Sequence, residues 1–385
     1  MSTMPRRHFL QAAAALGGAG ILQACGTSNT PIPPPQGSRS SAGFHSSPAQ
    51  KDAMLRIIAC SGYAERSDRI DLGIQRLMQA GFAPTNTQAA YRRYQRFAGH
   101  DSERIADVQD VASGRVPTPK VLMGLRGGYG AARLLPHVDW ASLGSRMREH
   151  GTLFFGFSDV CALQLALLAR GNMPSFAGPM VYSEFGKYSP SAYTMQMFID
   201  GSTRPNHSIQ VHAIQNHTPQ RMEGVLWGGN LSVITSLAGS PYLPDINGGI
   251  LFLEDVSEQP YRIERMLQTL YLAGVLGKQQ AVILGDFRMG TIRDVYDSSY
   301  TLASVAATMS RVAKVPVLTG FPFGHITNKA TFPLGAHARI EPNSNGGYSV
   351  QFSQYPTLDA GKLALHTLMP SFSTEPSPDE RGDLE

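Results

Sequence analysis

The chain has 385 residues, of which 42% are hydrophobic and 16% charged, and its formal net charge at pH 7 is +4. This length and composition are typical of a globular protein with room for two domains. So small a charge excess argues against nucleic acid as a partner, because nucleic-acid-binding domains concentrate a strong basic excess on one face.

The N-terminus has the features of an export signal. Arg6 and Arg7 precede an apolar stretch that is too short to span a membrane, which predicts a twin-arginine signal peptide over residues 1–24. The segment ends in a sequence similar to a lipoprotein cleavage box, in which Gln23 is an unusual member and Cys25 is the candidate for lipidation. We therefore expect an exported, periplasmic protein held at a membrane through Cys25. A cytosolic protein is the alternative.

Composition divides the rest of the chain into segments. A Pro-, Ser- and Gly-rich stretch after the signal predicts an extended tether, and a Ser-, Pro- and acid-rich C-terminus predicts a largely disordered tail. The predicted organisation is a tether at 25–52, an N-terminal domain at 53–185, an interdomain linker at 186–224, a C-terminal domain at 225–352 and a tail at 353–385.

Strands and helices alternate in the first half. Apolar strands are expected at 55–60, 119–125 and 153–156, and helical periodicity follows the first strand at 68–81 and the third from Val160 onward. Such alternation predicts an α/β fold with a parallel sheet. The chemically active groups of a sheet of this kind lie at the carboxyl ends of its strands.

Apolar periodicity fades between about 185 and 223, which indicates the linker. The elements expected beyond it are strands at 249–253, 281–285 and 315–318, a helix at 260–276, and short β-strands between 331 and 352. The second half is therefore predicted to be a smaller, β-rich α/β domain.

The third of the early strands ends in Gly156-Phe157-Ser158, and the predicted helix follows at once. A serine on such a sharp strand-to-helix turn exposes its Oγ at the carboxyl end of the sheet, while free backbone N–H groups at the helix start can receive an oxyanion. This geometry suits a nucleophile. The alternative is that Ser158 only caps the helix, which is a common role for serine.

Two later segments can supply a base and an acid. His325 follows Gly324 in a polar turn, outside any apolar face, which is unusual for a core histidine. Glu254, Asp255 and Glu258 form an acidic cluster directly after a predicted buried strand. The pattern leaves open which carboxylate orients the histidine, because Asp255 and Glu258 can equally cap the next helix. The order Ser, Glu, His is compatible with a triad, since triads recur in different orders on unrelated folds.

A glycine-rich loop, Arg126-Gly127-Gly128-Tyr129-Gly130, follows the second strand. It begins like a dinucleotide-binding loop but continues into Arg133, and the chain contains no Gly-Lys-Ser/Thr phosphate loop. No Cys/His spacing is typical of a zinc site. We therefore expect neither a cofactor nor a metal. At a strand end, such a loop can instead donate a backbone N–H to an oxyanion.

Several short motifs occur together in a fixed order. They are Arg126-Gly127-Gly128-Tyr129-Gly130, Arg133-Leu134-Leu135-Pro136, Gly156-Phe157-Ser158-Asp159, Trp227-Gly228-Gly229-Asn230-Leu231, Phe252-Leu253-Glu254-Asp255-Val256, Tyr261-Arg262-Ile263 and Gly320-Phe321-Pro322-Phe323-Gly324-His325. In this order they resemble the LD-carboxypeptidases, serine peptidases that are also called murein tetrapeptide carboxypeptidases. The likeness covers roughly residues 54 to 342.

The resemblance implies a serine nucleophile at Ser158, a general base at His325 and an orienting acid at Glu254. The implied oxyanion donors are the backbone N–H groups of Gly128 and Asp159. The resemblance also implies a flavodoxin-like N-terminal domain with a parallel sheet, a smaller β-rich α/β C-terminal domain, an active site in the groove between them, and a homodimer.

The reaction that the resemblance implies is removal of the terminal D-alanine from the tetrapeptide stems of peptidoglycan. Arg126, Arg133 and Asn230 are candidates for binding this substrate, since arginine can hold a carboxylate through two hydrogen bonds. The alternative for the two arginines is salt bridging at the domain surface. Two other functions stay open: a same-family peptidase that cleaves peptidyl-nucleotide antibiotics and confers self-immunity, and a solute-binding lipoprotein with its ligand in the cleft.

Overall fold

The computed structural model describes residues 53–212, 220–344 and 346–370. The helices are α1 (Ser67–Gln79), α2 (Asp101–Ala112), α3 (Trp140–His150), α4 (Cys161–Gly171), α5 (Ala192–Thr203), α6 (Leu231–Ser236), α7 (Pro260–Leu272) and α8 (Leu302–Ala313). The strands are β1 (Met54–Ile58), β2 (Ala83–Thr85), β3 (Val121–Gly124), β4 (Leu153–Gly156), β5 (Ser175–Ala177), β6 (His207–Val211), β7 (Met222–Asn230), β8 (Ile250–Glu254), β9 (Ala281–Leu284), β10 (Val317–Leu318), β11 (Phe332–Leu334), β12 (Ala336–Pro342) and β13 (Tyr348–Ser353).

Both ends of the chain fall outside these ranges. The predicted signal peptide, Cys25, the tether up to residue 52 and the tail beyond residue 370 lie outside the described residues. Within the described ranges, no helix is both long enough and apolar enough to cross a membrane.

The first sheet has the strand order β11-β5-β4-β3-β1-β2. Strands β1 to β5 are parallel, and their order 2-1-3-4-5 is that of a flavodoxin-like fold. Every residue of β3, β4 and β5 is buried, as expected for strands of a parallel sheet that is covered on both faces. The predicted flavodoxin-like N-terminal domain is therefore confirmed. At its edge, β11 pairs antiparallel with β5, although the sequence prediction assigns β11 to the C-terminal domain.

The second sheet has the strand order β10-β9-β8-β7-β12-β13-β6. Strands β7 to β10 are parallel, whereas β12, β13 and β6 form an antiparallel extension. Strand β8 is buried along its whole length and ends at Glu254. The predicted β-rich α/β C-terminal domain is thus confirmed. Its parallel half places the carboxyl ends of β8 and β10 at one edge of the sheet.

Phenylalanine side chains join the two sheets. Phe332 on β11 of the first sheet contacts Phe252 on β8 of the second, with ring centroids 5.1 Å apart, and both rings contact Phe321 and Phe323. All four rings are fully buried. Edge-to-face aromatic pairs contribute about 0.5–1.5 kcal/mol each beyond their buried area. The cluster therefore fixes the two sheets against each other beside the turn that carries His325.

The interval predicted as a linker, 186–224, contains α5, β6 and the start of β7. Ser191 caps α5 by accepting a hydrogen bond from the N–H of Thr194 at 3.1 Å, and Met195 and Phe198 are fully buried on one face of the helix. Strand β6 forms the edge of the second sheet. The linker prediction is wrong for the described part of this interval, because a short apolar helix face and a short edge strand produce little periodicity.

The predicted disordered tail begins too early, at residue 353. Leu358, Leu365 and Leu368 are buried in the core of the first sheet, and the N–H of Leu358 donates to the carbonyl of Ser202 at 2.8 Å. The described residues up to 370 are therefore part of the fold. The physical reason is that three leucines spaced over about ten residues bury enough apolar surface to hold a segment whose only regular elements are two short 3₁₀ helices.

Candidate active site

Ser158 lies at the sharp turn between β4 and α4. Its φ is +58°, in the left-handed region that residues other than glycine rarely adopt, and backbone strain of this kind costs about 1–3 kcal/mol and is typical of functional sites. A Cβ at Gly156 would lie 2.4 Å from Val160 Cγ1, so the turn requires glycine there. The Ser158 hydroxyl makes no capping hydrogen bond to the helix that follows, so the helix-cap alternative is wrong.

Ser158, His325 and Glu254 form one hydrogen-bonded chain across the two sheets. Ser158 Oγ lies 3.1 Å from His325 Nε2, and His325 Nδ1 lies 2.8 Å from Glu254 Oε2. The Glu254 side chain is 1% exposed and that of His325 is 9% exposed. When Nδ1 donates its proton to Glu254, Nε2 is the acceptor that faces the serine hydroxyl. This arrangement suits a nucleophile, a general base and an orienting acid, whose catalytic roles stay a prediction.

The structure places Glu254, rather than its acidic neighbours, against His325. Asp255 Oδ2 accepts hydrogen bonds from the N–H and the hydroxyl of Ser232 at 2.9 and 2.6 Å, at the start of α6, and burial raises the pKa of Asp255. Glu258 pairs with an arginine one helical turn later. Of the three acids, only the last residue of β8 reaches the imidazole.

Asn230, at the end of β7, supports this acid. Its Nδ2 donates to Glu254 Oε1 at 3.3 Å and to Asp255 Oδ1 at 3.2 Å, while its Oδ1 accepts from the N–H of Val233 at 3.2 Å. The residue is 5% exposed, and its amide protons and carbonyl oxygen are all engaged. We expected Asn230 to bind the substrate. What the structure shows for this side chain is contact with Glu254 and Asp255, and its contact with substrate stays a prediction.

Two further side chains hold the His325 turn, and the sequence contains no signal for either. Phe157 packs edge to face against the imidazole, with ring centroids 5.4 Å apart. Arg288, in the loop after β9, donates from Nη1 to the main-chain carbonyl of His325 at 2.8 Å. The turn is therefore held on both its side chain and its backbone.

The glycine loop lies against Ser158. A Cβ on Gly127 would be 2.6 Å from Ser158 Oγ, so only glycine fits at this position. The carbonyl of Gly127 accepts a hydrogen bond from the N–H of Gly62 at 3.2 Å, which attaches the loop to the turn after β1. Gly128 has φ +120°, which glycine adopts without strain. Gly128 follows Gly127 in the chain and Asp159 follows Ser158, and the N–H groups of these two residues remain our predicted oxyanion donors.

The side chain of Asp159 connects three segments of the site. Its Oδ2 accepts hydrogen bonds from Ser61 Oγ at 2.7 Å and from the N–H of Ala131 at 2.8 Å. Ser61 follows β1 and Ala131 directly follows the glycine loop, so one carboxylate connects both segments to the turn that carries Ser158. The residue is buried, and burial raises its pKa. Sequence reasoning assigned a role only to the backbone of Asp159 and missed this one.

The two arginines that we considered for substrate binding differ in their surroundings. Arg133 forms a salt bridge with Asp101 at 2.7 Å, and its guanidinium carbon lies 4.8 Å from the centroid of the Phe97 ring. Salt bridging at the surface is therefore what the structure shows for Arg133. Arg126 is half-buried beside the glycine loop and donates to the carbonyl of Tyr63 at 3.2 Å. Its contact with substrate stays a prediction.

A separate cavity of about 660 Å³ lies between α5 and strands β6, β12 and β13, and no residue of the serine–histidine–glutamate chain lines it. Its charged side chains are paired: Arg204 binds Asp200 at 2.8 Å, and Arg339 binds Glu223 at 3.1 Å. Among the described residues, no group of three or more His, Cys, Asp or Glu is placed to hold a metal ion. The hydrogen-bonded chain beside the glycine loop is therefore the better candidate site.

Three known proteins are similar to this chain in sequence or in structure. A probable murein peptide carboxypeptidase of Bacillus subtilis is 29% identical over 274 residues, which cover 71% of this chain and 84% of that protein. The crystal structure of a muramoyltetrapeptide carboxypeptidase from Oxalobacter formigenes matches with a TM-score of 0.71 and 37% identity, over 79% of this chain and 100% of that one. The microcin C7 self-immunity protein MccF of Escherichia coli is 25% identical over 319 residues, 74% of this chain and 89% of that protein.

Family models agree with these relatives. The model of the LD-carboxypeptidase N-terminal domain matches residues 55–178, and the model of the LD-carboxypeptidase C-terminal domain matches residues 223–340. The first range contains the glycine loop and Ser158, and the second contains Glu254 and His325. Together the two matches cover more than half of the sequence, so the chain belongs to the LD-carboxypeptidase family.

Proposed function

We propose that this protein is a serine-type LD-carboxypeptidase that removes the terminal D-alanine from murein tetrapeptides. The observation that carries the proposal is the hydrogen-bonded chain from Ser158 through His325 to Glu254. The substrate class comes from the relatives, which are named as murein peptide and muramoyltetrapeptide carboxypeptidases.

In the proposed reaction, Ser158 Oγ attacks the carbonyl carbon of the third residue of the stem, whose centre has the L configuration. His325 Nε2 takes the hydroxyl proton, and Glu254 stabilises the resulting imidazolium. The N–H groups of Gly128 and Asp159 receive the oxyanion of the tetrahedral intermediate. When the peptide bond breaks, His325 returns its proton to the leaving amine of D-alanine. Water, activated by the same histidine, then hydrolyses the acyl-enzyme and releases the tripeptide stem.

Incubation of the protein with defined muropeptides, followed by mass spectrometry, tests this proposal. We expect loss of one D-alanine from the tetrapeptide and no loss with Ser158→Ala. Ser113→Ala is the matched control, because Ser113 is an exposed serine at the end of α2 and its substitution should leave turnover unchanged. Turnover retained in Ser158→Ala, or a folded wild-type protein that releases D-alanine from no tetrapeptide, would refute the proposal.

A second candidate function is supported by the likeness to the microcin C7 self-immunity protein. The same serine, histidine and glutamate can open the amide of a peptidyl-nucleotide antibiotic, since acyl transfer to serine requires only a suitably placed carbonyl. The identity to this relative is lower than that to the two carboxypeptidases. Hydrolysis of an aminoacyl sulfamoyl nucleoside without any release of D-alanine from muropeptides would favour this second function.

We also propose export of the protein, lipidation at Cys25 and a homodimer in solution. The twin-arginine pattern at Arg6 and Arg7 and the sequence before Cys25 support the first two, and the family resemblance supports the third. Cys25→Ala should move the protein from the membrane fraction to the soluble fraction. Sedimentation of the soluble protein at twice the monomer mass would be the expected result for the dimer.

A further inference from the structure

Arg93 and Arg96 lie beside the glycine loop but belong to a different part of the chain, between β2 and α2. The N–H of Tyr63 donates to the carbonyl of Arg96 at 3.3 Å, and the adjacent N–H of Gly62 donates to the carbonyl of Gly127 at 3.2 Å. Gly127 in turn approaches the nucleophile so closely that a Cβ there would collide with it. These two backbone hydrogen bonds connect the segment that carries Arg93 and Arg96, through the turn after β1 and the glycine loop, to the Ser158 hydroxyl.

Each of these two side chains stacks on an aromatic ring. Arg93 Cζ lies 4.1 Å from the centroid of the Tyr63 ring, and Arg96 Cζ lies 5.4 Å from that of Tyr129, a member of the glycine loop. Both arginines are exposed, and within the described ranges neither guanidinium has a hydrogen bond or an ion pair. Stacking occupies the face of a guanidinium and leaves the N–H groups at its edge free to bind a ligand.

Neighbouring arginines are paired instead. Arg92 binds Asp107 at 2.6 Å, and Arg104 and Arg133 both bind Asp101, at 2.5 and 2.7 Å. These two carboxylates are thus held by arginines other than the stacked pair. A stacked guanidinium is already oriented, so it loses less side-chain entropy on binding than a free surface arginine does. The free N–H edges favour a carboxylate that arrives with a ligand, because arginine binds carboxylates through two parallel hydrogen bonds.

We propose that Arg93 and Arg96 form a carboxylate-binding subsite on the glycine-loop side of the active site. Tyr63 and Tyr129 hold the two guanidiniums in place, and the subsite binds a free carboxylate of the peptide stem. The inference rests on the proposed function, since a murein stem carries several carboxylates near the bond that is cut. The subsite contributes binding in the ground state and the transition state alike, so its loss raises KM and changes kcat little.

The test compares the wild-type protein with Arg93→Gln, Arg96→Gln and the double variant. Arg115→Gln is the matched control, because Arg115 is an exposed arginine in the loop after α2 whose partner is Asp110. The substrates are the free tetrapeptide with diaminopimelate as its third residue and three analogues, each with one carboxylate converted to an amide: that of the terminal D-alanine, the free carboxylate of the second residue, or the side-chain carboxylate of diaminopimelate.

We expect the double variant to raise KM for the free tetrapeptide about 10- to 100-fold, with kcat changed less than about threefold. One of the amidated analogues should be a poor substrate for the wild type, and the double variant should no longer distinguish it from the free tetrapeptide. That analogue identifies the carboxylate bound by the subsite. The control should retain the wild-type KM and the wild-type discrimination.

The outcomes separate the subsite from the proposed function. A wild-type protein that cleaves the tetrapeptide, together with a double variant whose KM and discrimination are unchanged, overturns the subsite and leaves the proposed function intact. A double variant that loses kcat with KM unchanged also overturns it, because the arginines then act on the chemistry or on the loop conformation. A wild-type protein that cleaves no tetrapeptide overturns the proposed function and the subsite with it.

Discussion

Replacing Lys329 with methionine should destabilise the protein, and replacing Glu184 as well should restore most of the stability. Lys329 Nζ lies 2.5 Å from Glu184 Oε1, and the two side chains are 3% and 4% exposed. The ammonium also lies 4.0 Å from the centroid of the Phe157 ring, next to the nucleophile. Lys329 follows His325 in the chain, whereas Glu184 follows β5, so the pair links the turn of the second sheet to the first sheet.

The expected magnitude follows from this burial. Removal of one partner from a buried ion pair leaves an uncompensated charge, which costs about 3–5 kcal/mol. For a folded unit of roughly 300 residues the entropy of unfolding is about 0.6 kcal/mol/K, so Lys329→Met should lower Tm by about 5–8 °C. Adding Glu184→Gln removes the stranded charge. A glutamine oxygen can still accept the hydrogen bond that Glu184 Oε2 receives from the N–H of Met180 at 2.9 Å. The double variant should therefore have a Tm within about 2 °C of the wild type.

Thermal unfolding followed by circular dichroism measures all four proteins of this double-mutant cycle at one pH and one protein concentration. The reasoning predicts a strongly non-additive cycle, because the two residues share one interaction. A Lys329→Met variant with an unchanged Tm would show that Glu184 is not left as an uncompensated buried charge, which contradicts the reasoning. Additive losses in the double variant would show that each side chain stabilises the protein independently, which contradicts the ion pair.

Three other substitutions test the site. Gly127→Ala places a Cβ 2.6 Å from the serine oxygen, so kcat should fall at least a hundredfold, whereas Gly277→Ala, with nothing within 4 Å of its Cβ, should keep full activity. Glu254→Gln should lower kcat about a thousandfold or more, because the imidazolium loses its partner. Asp255→Asn should change kcat less than about threefold, and steady-state kinetics measures both variants. Burial raises the pKa of Asp159, so ionisation of this carboxyl destabilises the folded wild-type protein as pH rises above about 4. Asparagine does not ionise, so the Tm of Asp159→Asn relative to that of the wild type should increase over the same pH range.

Each of these predictions has a clear contrary result. An active Gly127→Ala protein would mean that the glycine loop moves away from the serine in solution. Equal losses from Glu254→Gln and Asp255→Asn would mean that the acidic cluster acts as a unit. A Tm difference for Asp159→Asn that stays constant between pH 4 and 8 would mean that burial does not hold the pKa of this carboxyl above its ordinary value.

Apolar periodicity predicted the elements whose burial is continuous. Strands β3, β4 and β8 are short and fully buried, and they are apolar except for Glu254 at the end of β8; their positions could be predicted within about two residues. The serine turn was also predictable, because a strand followed at once by a helix allows few conformations of the linking residues. The motif order then identified the family, which selected Glu254 where periodicity alone could not choose among three acids.

Other features depend on contacts between distant parts of the chain, and a local pattern does not contain them. In the sequence, Asn230 is a polar residue at the end of a strand. Only the fold shows that its amide donates hydrogen bonds to two buried carboxylates. Arg93 and Arg96 read as surface charges until the turn after β1 is seen to bring them to the glycine loop. The predictions for 186–212, 220–224 and 353–370 were wrong for the same reason, since the few apolar residues that are buried there have partners far away in sequence.

The position of His325 depends on how the chain passes between the two sheets. His325 and Lys329 lie on one connection, which begins after β10 in the second sheet and ends at β11 in the first. The hydrogen bond from His325 to Glu254 lies within the second sheet and its loops, whereas the one to Ser158 crosses to the first. A displacement of one sheet relative to the other would therefore lengthen the serine contact and leave the glutamate contact intact. The phenylalanine cluster and the Lys329–Glu184 pair oppose that displacement, and so they maintain the distance between Ser158 Oγ and His325 Nε2 that the proposed proton transfer requires.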